Sequence, residues 1–412
     1  MQKGHAMGKR MMLLAAAIIS VLTIAGASIA ETSGTSRYKT LLESPEGRRK
    51  LTALAQMEET RTVAQHTIEP LLSDPDGLIR LRCAEVLGRI ARPAHVPYLE
   101  KLIEDKDTDV VETAIFSLGL IGGKEALDPI RRCLSNRPRN TKARALEALG
   151  KTGVSEAAPL IIPFLRDFHS SLRAKASLAL AALGDSASAS VCVTSLYDPD
   201  ETVASCALYA LGRLGHEEAA GRMIPFLSNK HPQVKTRAAE ALGRLESEKA
   251  IGPIADLLAD EDRMVAVKAA EALSRIGGKK SAKALERLLG STDSYLKTVA
   301  LEGIASTENK RSFEAVEPLL KDSSPMVRRS ALRAAAATGR KNARTYLLKA
   351  FREGTRPEKM TALELLGGLS VQEDLRLLVE TLTSNEDHIL REGAAAGLKN
   401  WKNIEDLVRS VD

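Results

Sequence analysis

Apolar residues at Val234, Ala238, Ala241, Leu242 and Leu245 follow the i, i+4, i+7, i+8, i+11 spacing of one face of an α-helix. Residues 251–258 predict a second, shorter helix, and an aspartate-rich turn joins the two kinds. The same layout recurs. Alanine stands at 114, 145, 176, 207, 238, 269, 300, 331 and 362, nine times at a spacing of 31 without a slip. Cys83 and Gly393 extend this column at its ends. A fixed period of this kind predicts an all-α fold, an α-solenoid of about eleven 31-residue helix-turn-helix units stacked on one another.

Other columns keep the register. Leu118, Leu149, Leu180, Leu211, Leu242 and Leu273 form an aliphatic one, each followed by a small residue such as Gly119, Gly150, Ala181, Gly212, Gly243 or Ser274. A second runs through Leu72, Ile103, Leu134, Leu165, Leu196, Leu227, Leu258, Leu289 and Leu320. Two residues on comes a polar column of Asp74, Asp105, Asn136, Asp167, Asp198, Asn229, Asp260, Ser291 and Asp322. Their short side chains accept hydrogen bonds from free backbone N–H groups, as N-cap or turn residues. The alanine column then lets the second helix of each unit, helix B, approach its partner closely. A larger side chain there overpacks, at roughly 1–3 kcal/mol.

The stretches VKTRAAEALGRL at 234–245 and VRRSALRAAAATG at 327–339 resemble HEAT-like repeats of the short type named after phycobilisome lyases. The resemblance covers about residues 60 to 400 and implies a superhelical, armadillo-like array in which helix B lines the concave side. It implies no particular activity, because such scaffolds serve many roles.

The unbroken period points to one elongated repeat domain over residues 48–412, preceded by a linker and cap at 31–47. Residues 1–30 differ in kind. Lys3, Lys9 and Arg10 precede twenty uncharged residues, 11–30, that end in small side chains. That order is a signal peptide; an uncleaved signal anchor is the alternative, since twenty apolar residues just span a bilayer. Either places the repeats outside the cytoplasm, in the periplasm or cell envelope of a bacterium, free or held at the inner membrane. No cysteine follows the apolar run, which argues against a lipid anchor there.

The net charge is +6, and removing the three cations of residues 1–30 leaves about +3. A near-neutral chain lacks the basic stripe of a nucleic-acid binder. Aromatic residues are only 3% of the chain. Three of the four cysteines, Cys83, Cys133 and Cys192, stand in apolar or small-residue columns and read as core; Cys206 reads as the accessible one. A Cys192–Cys206 bridge within one repeat is an open alternative.

Deoxyhypusine hydroxylase shares this kind of repeat and carries His-Glu pairs early in several B helices to hold two irons. The matching positions here include Leu81 with Arg82, Ala143 with Arg144, Thr236 with Arg237 and Met360 with Thr361, and none is His-Glu. His216 with Glu217 is the one such pair, and it falls in an inter-repeat loop. The seven histidines show no ligand spacing, and the chain has no phosphate loop or nucleophile elbow. Phycobilin lyases and DNA glycosylases built on such repeats act in the cytoplasm, which export argues against. The expectation is therefore no catalysis, no cofactor and no metal. An enzyme or lyase-like subunit with an unrecognised site is the remaining alternative.

What remains is a surface. Helix B positions at i, i+3 and i+7 line a stripe beside the core face. The stripe is basic–acidic–basic at Arg82/Glu85/Arg89, Arg144/Glu147/Lys151, Arg237/Glu240/Arg244 and Lys268/Glu271/Arg275, a pattern that suits a solvated face of ion pairs. It breaks at Thr113/Phe116/Leu120, Lys175/Leu178/Ala182 and Cys206/Tyr209/Arg213. Phe116, Leu120, Leu178 and Tyr209, with Arg213, Arg237 and Arg244, are the expected docking residues for a protein or peptide partner, because apolar groups rimmed by charge mark interfaces. Burial between neighbouring repeats is the competing reading.

Overall fold

A computed structural model describes residues 45–401, apart from 64, 308, 385 and 386. The apolar segment 11–30 and most of the linker lie outside the described residues. Among the described residues there are helices and turns and no strands. The chain divides into two compact units, Met1–Pro129 and Ile130–Asp412.

In the first unit the long helices are Pro45–Thr60, Gly77–Ile90 and Thr108–Ile121, with short helices Gln65–Leu71 and Val96–Leu102 between them. In the second, the B helices are Arg139–Lys151, Ser170–Leu183, Glu201–Leu214, Pro232–Arg244, Arg263–Ile276 and Ser294–Thr307, each packed on the next. The A helices are shorter and broken. Ile251–Asp256, for example, tightens into a 3-10 turn at Leu257–Ala259.

The alanine column is the core. All nine of its alanines are fully buried, as are Leu118, Leu149, Leu180, Leu211, Leu242 and Leu273. Each such leucine contributes roughly 1.5–3 kcal/mol. The tightest approach, however, belongs to the small residue after the leucine. A Cβ at Gly212 would lie 2.6 Å from the Ala241 Cα, and one at Gly243 would lie 2.8 Å from the Ala272 Cα. Successive B helices therefore meet backbone to small side chain.

The turn column does a different job from capping. Asp198 accepts from the Asp200 N–H at 2.9 Å, and Asp260 from the Asp262 N–H at 3.0 Å. The N-cap is the residue two places on: Asp76, Asp107, Asp200 and Asp262 cap their helices. At the other end, Gly184 and Gly215 close their helices at φ 75° and 72°, a region glycine enters without cost.

Six residues past the turn column stands a column of cations that ties repeats together. Arg80 donates from Nε and Nη2 to the Asp105 carboxylate at 2.6 and 2.8 Å, and from Nη1 to the Asp74 carbonyl at 2.6 Å. Arg173 repeats this on Asp198 at 2.6 and 2.8 Å and on the Asp167 carbonyl at 2.9 Å. Lys235 pairs with Asp260, and Lys297 with Asp322. Where the column holds Ala204 or Ala266, the residue twenty-five places on is uncharged, Asn229 or Ser291. These two still make the turn, accepting from the His231 and Asp293 N–H groups at 2.8 and 3.1 Å.

The regular pattern ends at Pro325–Glu353, a helix that runs through the expected inter-repeat loop with a non-helical kink at Gly339. A Cβ at Gly339 would lie 2.0 Å from the Phe313 ring, so the bend takes its shape around that buried side chain. Arg328 then reaches Glu358 at 2.7 Å instead of Glu353, which stands 31 residues after Asp322 where the turn column would continue. Trp401, buried with Leu363, Leu375, Leu378 and Ala394, packs into the last core cluster.

Candidate functional site

The helix B stripe is mostly self-neutralised. In the first unit Glu58 takes Arg82 at 2.5 Å and Arg89 at 2.6 Å, and Arg82 also holds Glu85 at 2.7 Å. In the second unit Glu147 takes Lys151 at 3.1 Å, Arg144 at 3.2 Å and Lys175 at 3.6 Å. Burial opposes ionisation of Glu147, but the Lys151 hydrogen bond and the charges of Lys175 and Arg144 outweigh it and hold its carboxyl below the ordinary range. Lys268 joins Glu240 at 3.4 Å to Glu271 at 2.9 Å.

Between these clusters the stripe changes. Leu178 and Tyr209 are half-buried, and the Arg237 guanidinium lies 5.3 Å from the centre of the Tyr209 ring. Such stacking is worth about 0.5–1 kcal/mol at an accessible site. Arg237 also holds Glu240 at 3.0 Å. Arg213 is exposed, with Nε donating to the Ala181 carbonyl at 3.3 Å, and Arg244 is exposed. The structure thus joins Tyr209 to Arg237 directly. Phe116 and Leu120 belong to the first unit, where Phe116 is half-buried and Leu120 exposed.

None of the four cysteines is in a disulfide, so Cys192 and Cys206 form no bridge. Burial pushes the Cys83 and Cys192 thiols up to about 12, and Cys133 is buried as well. Cys206 is half-buried, and burial raises its thiol too, so Cys83, Cys192 and Cys206 are not poised as thiolates at neutral pH. His216 pairs with Glu218 at 3.1 Å. Among the described residues, no group of three or more His, Cys, Asp or Glu side chains is placed to hold a metal ion.

Two features escaped the sequence reading. One is the cation column just described. The other is a set of exposed apolar side chains at the edge where helix A turns into helix B. Phe168 and Tyr197 are 92% and 67% exposed, and Met264, Tyr295 and Met326 are 57%, 44% and 40% exposed. The signal for the last three was present. Equivalent positions elsewhere are Asp109, Asn140, Ser171, Thr202 and Gln233, a polar column that marks a solvent-facing place.

HEAT repeats match residues 64–150, 191–274, 222–305, 283–367 and 314–399, more than half of the chain. The chain belongs to the HEAT-repeat family. A PBS lyase HEAT-like repeat also matches residues 141–167. No curated protein matches this HEAT-repeat chain. Among solved structures it is similar to the Kap95p–RanGDP nuclear import complex, at 12% identity and TM-score 0.56. That match covers 92% of this chain and 59% of the other, and shows the solenoid fold. Two weaker likenesses are an engineered protein (20% identity, TM-score 0.43, covering 81% of this chain and 97% of that one) and human deoxyhypusine hydroxylase (18% identity, TM-score 0.31, covering 76% and 98%).

Proposed function

We propose that this HEAT-repeat chain is an exported, non-catalytic scaffold that holds a protein or peptide partner along its helix B stripe. Repeat arrays commonly serve as extended protein-binding surfaces. The observation that carries the reading is the Tyr209–Arg237 stack. It is an accessible aromatic–arginine pair on a stripe whose neighbouring charges neutralise one another. Tyrosine and arginine are the residue types that dominate interface energetics. Leu178, Arg213 and Arg244 extend the same surface, and in the first unit Phe116 and Leu120 are the corresponding apolar groups.

Export rests on the order of residues 1–30, a basic start, an apolar run and small residues. Among the described residues no helix is long and apolar enough to cross a membrane, so an anchored form would use residues 11–30. Fractionation of the native host with intact-mass measurement separates a cleaved envelope protein from an anchored one, and full-length chain in the cytoplasm overturns both.

The test of the stripe is co-purification from the native host with the wild type and with Tyr209→Ala plus Arg237→Ala. The expected outcome is loss of the co-purifying partner, about a tenfold or greater weakening, with the thermal midpoint almost unchanged. Retained partner with both side chains removed contradicts the reading.

A further inference from the structure

The exposed side chains of Met264, Tyr295 and Met326 form a row. Each is the second residue of its helix, in Arg263–Ile276, Ser294–Thr307 and Pro325–Glu353. The three helices pack in sequence, so the side chains follow one another at the inter-helix spacing of about 8–10 Å. Single exposed apolar residues are ordinary on a protein surface, but a file of three at one repeat position is not scatter. The Arg263 guanidinium lies 5.0 Å from the centre of the Tyr295 ring while its Nε and Nη2 hold Asp293 at 2.5 and 3.1 Å. That contact fixes the middle of the row.

The polar groups along the row give it direction. Asp260 and Asp322 are neutralised by Lys235 and Lys297, and Asp262 caps its own helix. Glu261, three residues before Met264, is exposed and forms no ion pair among the described residues. At the other end Lys321, five residues before Met326, is exposed and forms no ion pair among the described residues. Lys321 also lines a recess of about 220 Å³ with Arg328, Lys349 and Tyr346. There Arg328 is held by Glu358 and Lys349 by Glu353, which leaves Lys321 as the surplus charge. The row therefore has an anionic end and a cationic end.

Between the ends lie the mutually neutralised Arg263–Asp293 pair and small polar groups. Thr292 and Ser323 are exposed, and among the described residues no second file of exposed apolar side chains runs alongside. A helix laid here would meet one line of contacts and no groove. A polyproline II strand repeats every three residues with a rise of about 9 Å, close to the row's spacing, and leaves its backbone free for the hydroxyls.

We propose that Met264, Tyr295 and Met326 dock an extended polyproline II segment of a partner protein that carries an apolar side chain at every third residue, a cationic end over Glu261 and a carboxylate end at Lys321. This surface is separate from the helix B stripe and does not depend on it.

The probe is a fluorescently labelled peptide of two lysines, three Leu-Pro-Ser triplets and a final glutamate with a free C-terminus, titrated against the full chain by anisotropy. Saturable binding is expected. Met264→Ser, Tyr295→Ser and Met326→Ser together should weaken it about tenfold or more, with unchanged circular dichroism, because the side chains removed are surface groups. Glu261→Lys should weaken it several-fold, and a peptide with glutamates in place of the two lysines should recover the loss. Tyr209→Ala should leave the affinity unchanged. No saturable binding at millimolar peptide, equal binding by the triple variant, or tighter binding of a helical peptide with leucine at every seventh residue would each overturn the proposal. Self-association of the wild type that the triple variant loses would assign the row to a second copy of the chain, and overturn it equally.

Discussion

His95 occupies a position that other repeats fill with Ala126, Ala157, Ser188, Ala219, Ala250, Ser281 and Ser312. It is buried, and its Nδ1 finds no hydrogen-bond partner among the described residues. Burial holds its pKa below the ordinary value; a backbone hydrogen bond from the ring to Leu87 opposes the shift, and the Arg92 charge adds to it. The folded form therefore prefers neutral histidine. Stability from this site is complete above the unfolded value of about 6.5 and falls as pH drops below it, because the unfolded chain takes up the proton first. His95→Ala, which restores the column residue, should shrink the difference in thermal midpoint between about pH 7.5 and about pH 5.5. An equal difference in both proteins would show that His95 does not titrate in this range.

At the scale of the element, the decisive contact is between one B helix and the next. Gly212 against Ala241 leaves no room for a Cβ. Gly212→Leu should cost at least the roughly 1–3 kcal/mol of an overpacked core, and denaturant unfolding should show the midpoint falling with the slope preserved. A neutral result would mean that the helices slide apart freely. The alanine, leucine and small-residue columns were all legible in the sequence, because a buried position tolerates only certain sizes and the period repeats the test. The division of labour between Asp198 and Asp200 was not. Turn and cap residues share the same chemistry, and only the hydrogen-bond geometry tells them apart. The kinked helix through Gly339 was also hidden, because its alanine-rich sequence keeps the helical spacing across the place where other repeats break. On the surface, the sequence identified the apolar stripe residues but not their exposure, so Tyr209 emerged half-buried under Arg237 while Met264 and Tyr295 stood out in solvent.

Within each unit the same ion-pair joint links consecutive repeats, and it makes the fold acid-sensitive. In the first, burial opposes ionisation of Asp105, but the Arg80 hydrogen bond, the Asp107 N–H and the charges of Arg80 and Lys106 together outweigh it and hold its carboxyl below the ordinary range. In the second, the Arg173 and Lys297 hydrogen bonds hold Asp198 and Asp322 below the ordinary carboxylate range. These groups contribute stability that is present above an unfolded pKa of about 3.9 and is lost as pH falls through the lower folded values. Arg173→Ala should cost roughly 1.5–3 kcal/mol at neutral pH, since it leaves a mostly buried carboxylate without its charged donor. The variant should then lose less stability than the wild type between about pH 5 and about pH 3. Parallel pH curves would place the acid sensitivity elsewhere.

The joints also come in two kinds. Arg173, Lys235 and Lys297 face Asp198, Asp260 and Asp322, whereas Ala204 and Ala266 stand where the next repeat offers Asn229 and Ser291. Repeats of identical length are consequently not interchangeable bricks. Exchanging the adjacent repeats that carry Asn229/Lys235 and Asp260/Ala266 would set a bare Asp260 against Ala204 and leave Lys235 facing Ser291, so the alternation of the two kinds of joint is encoded at the seams.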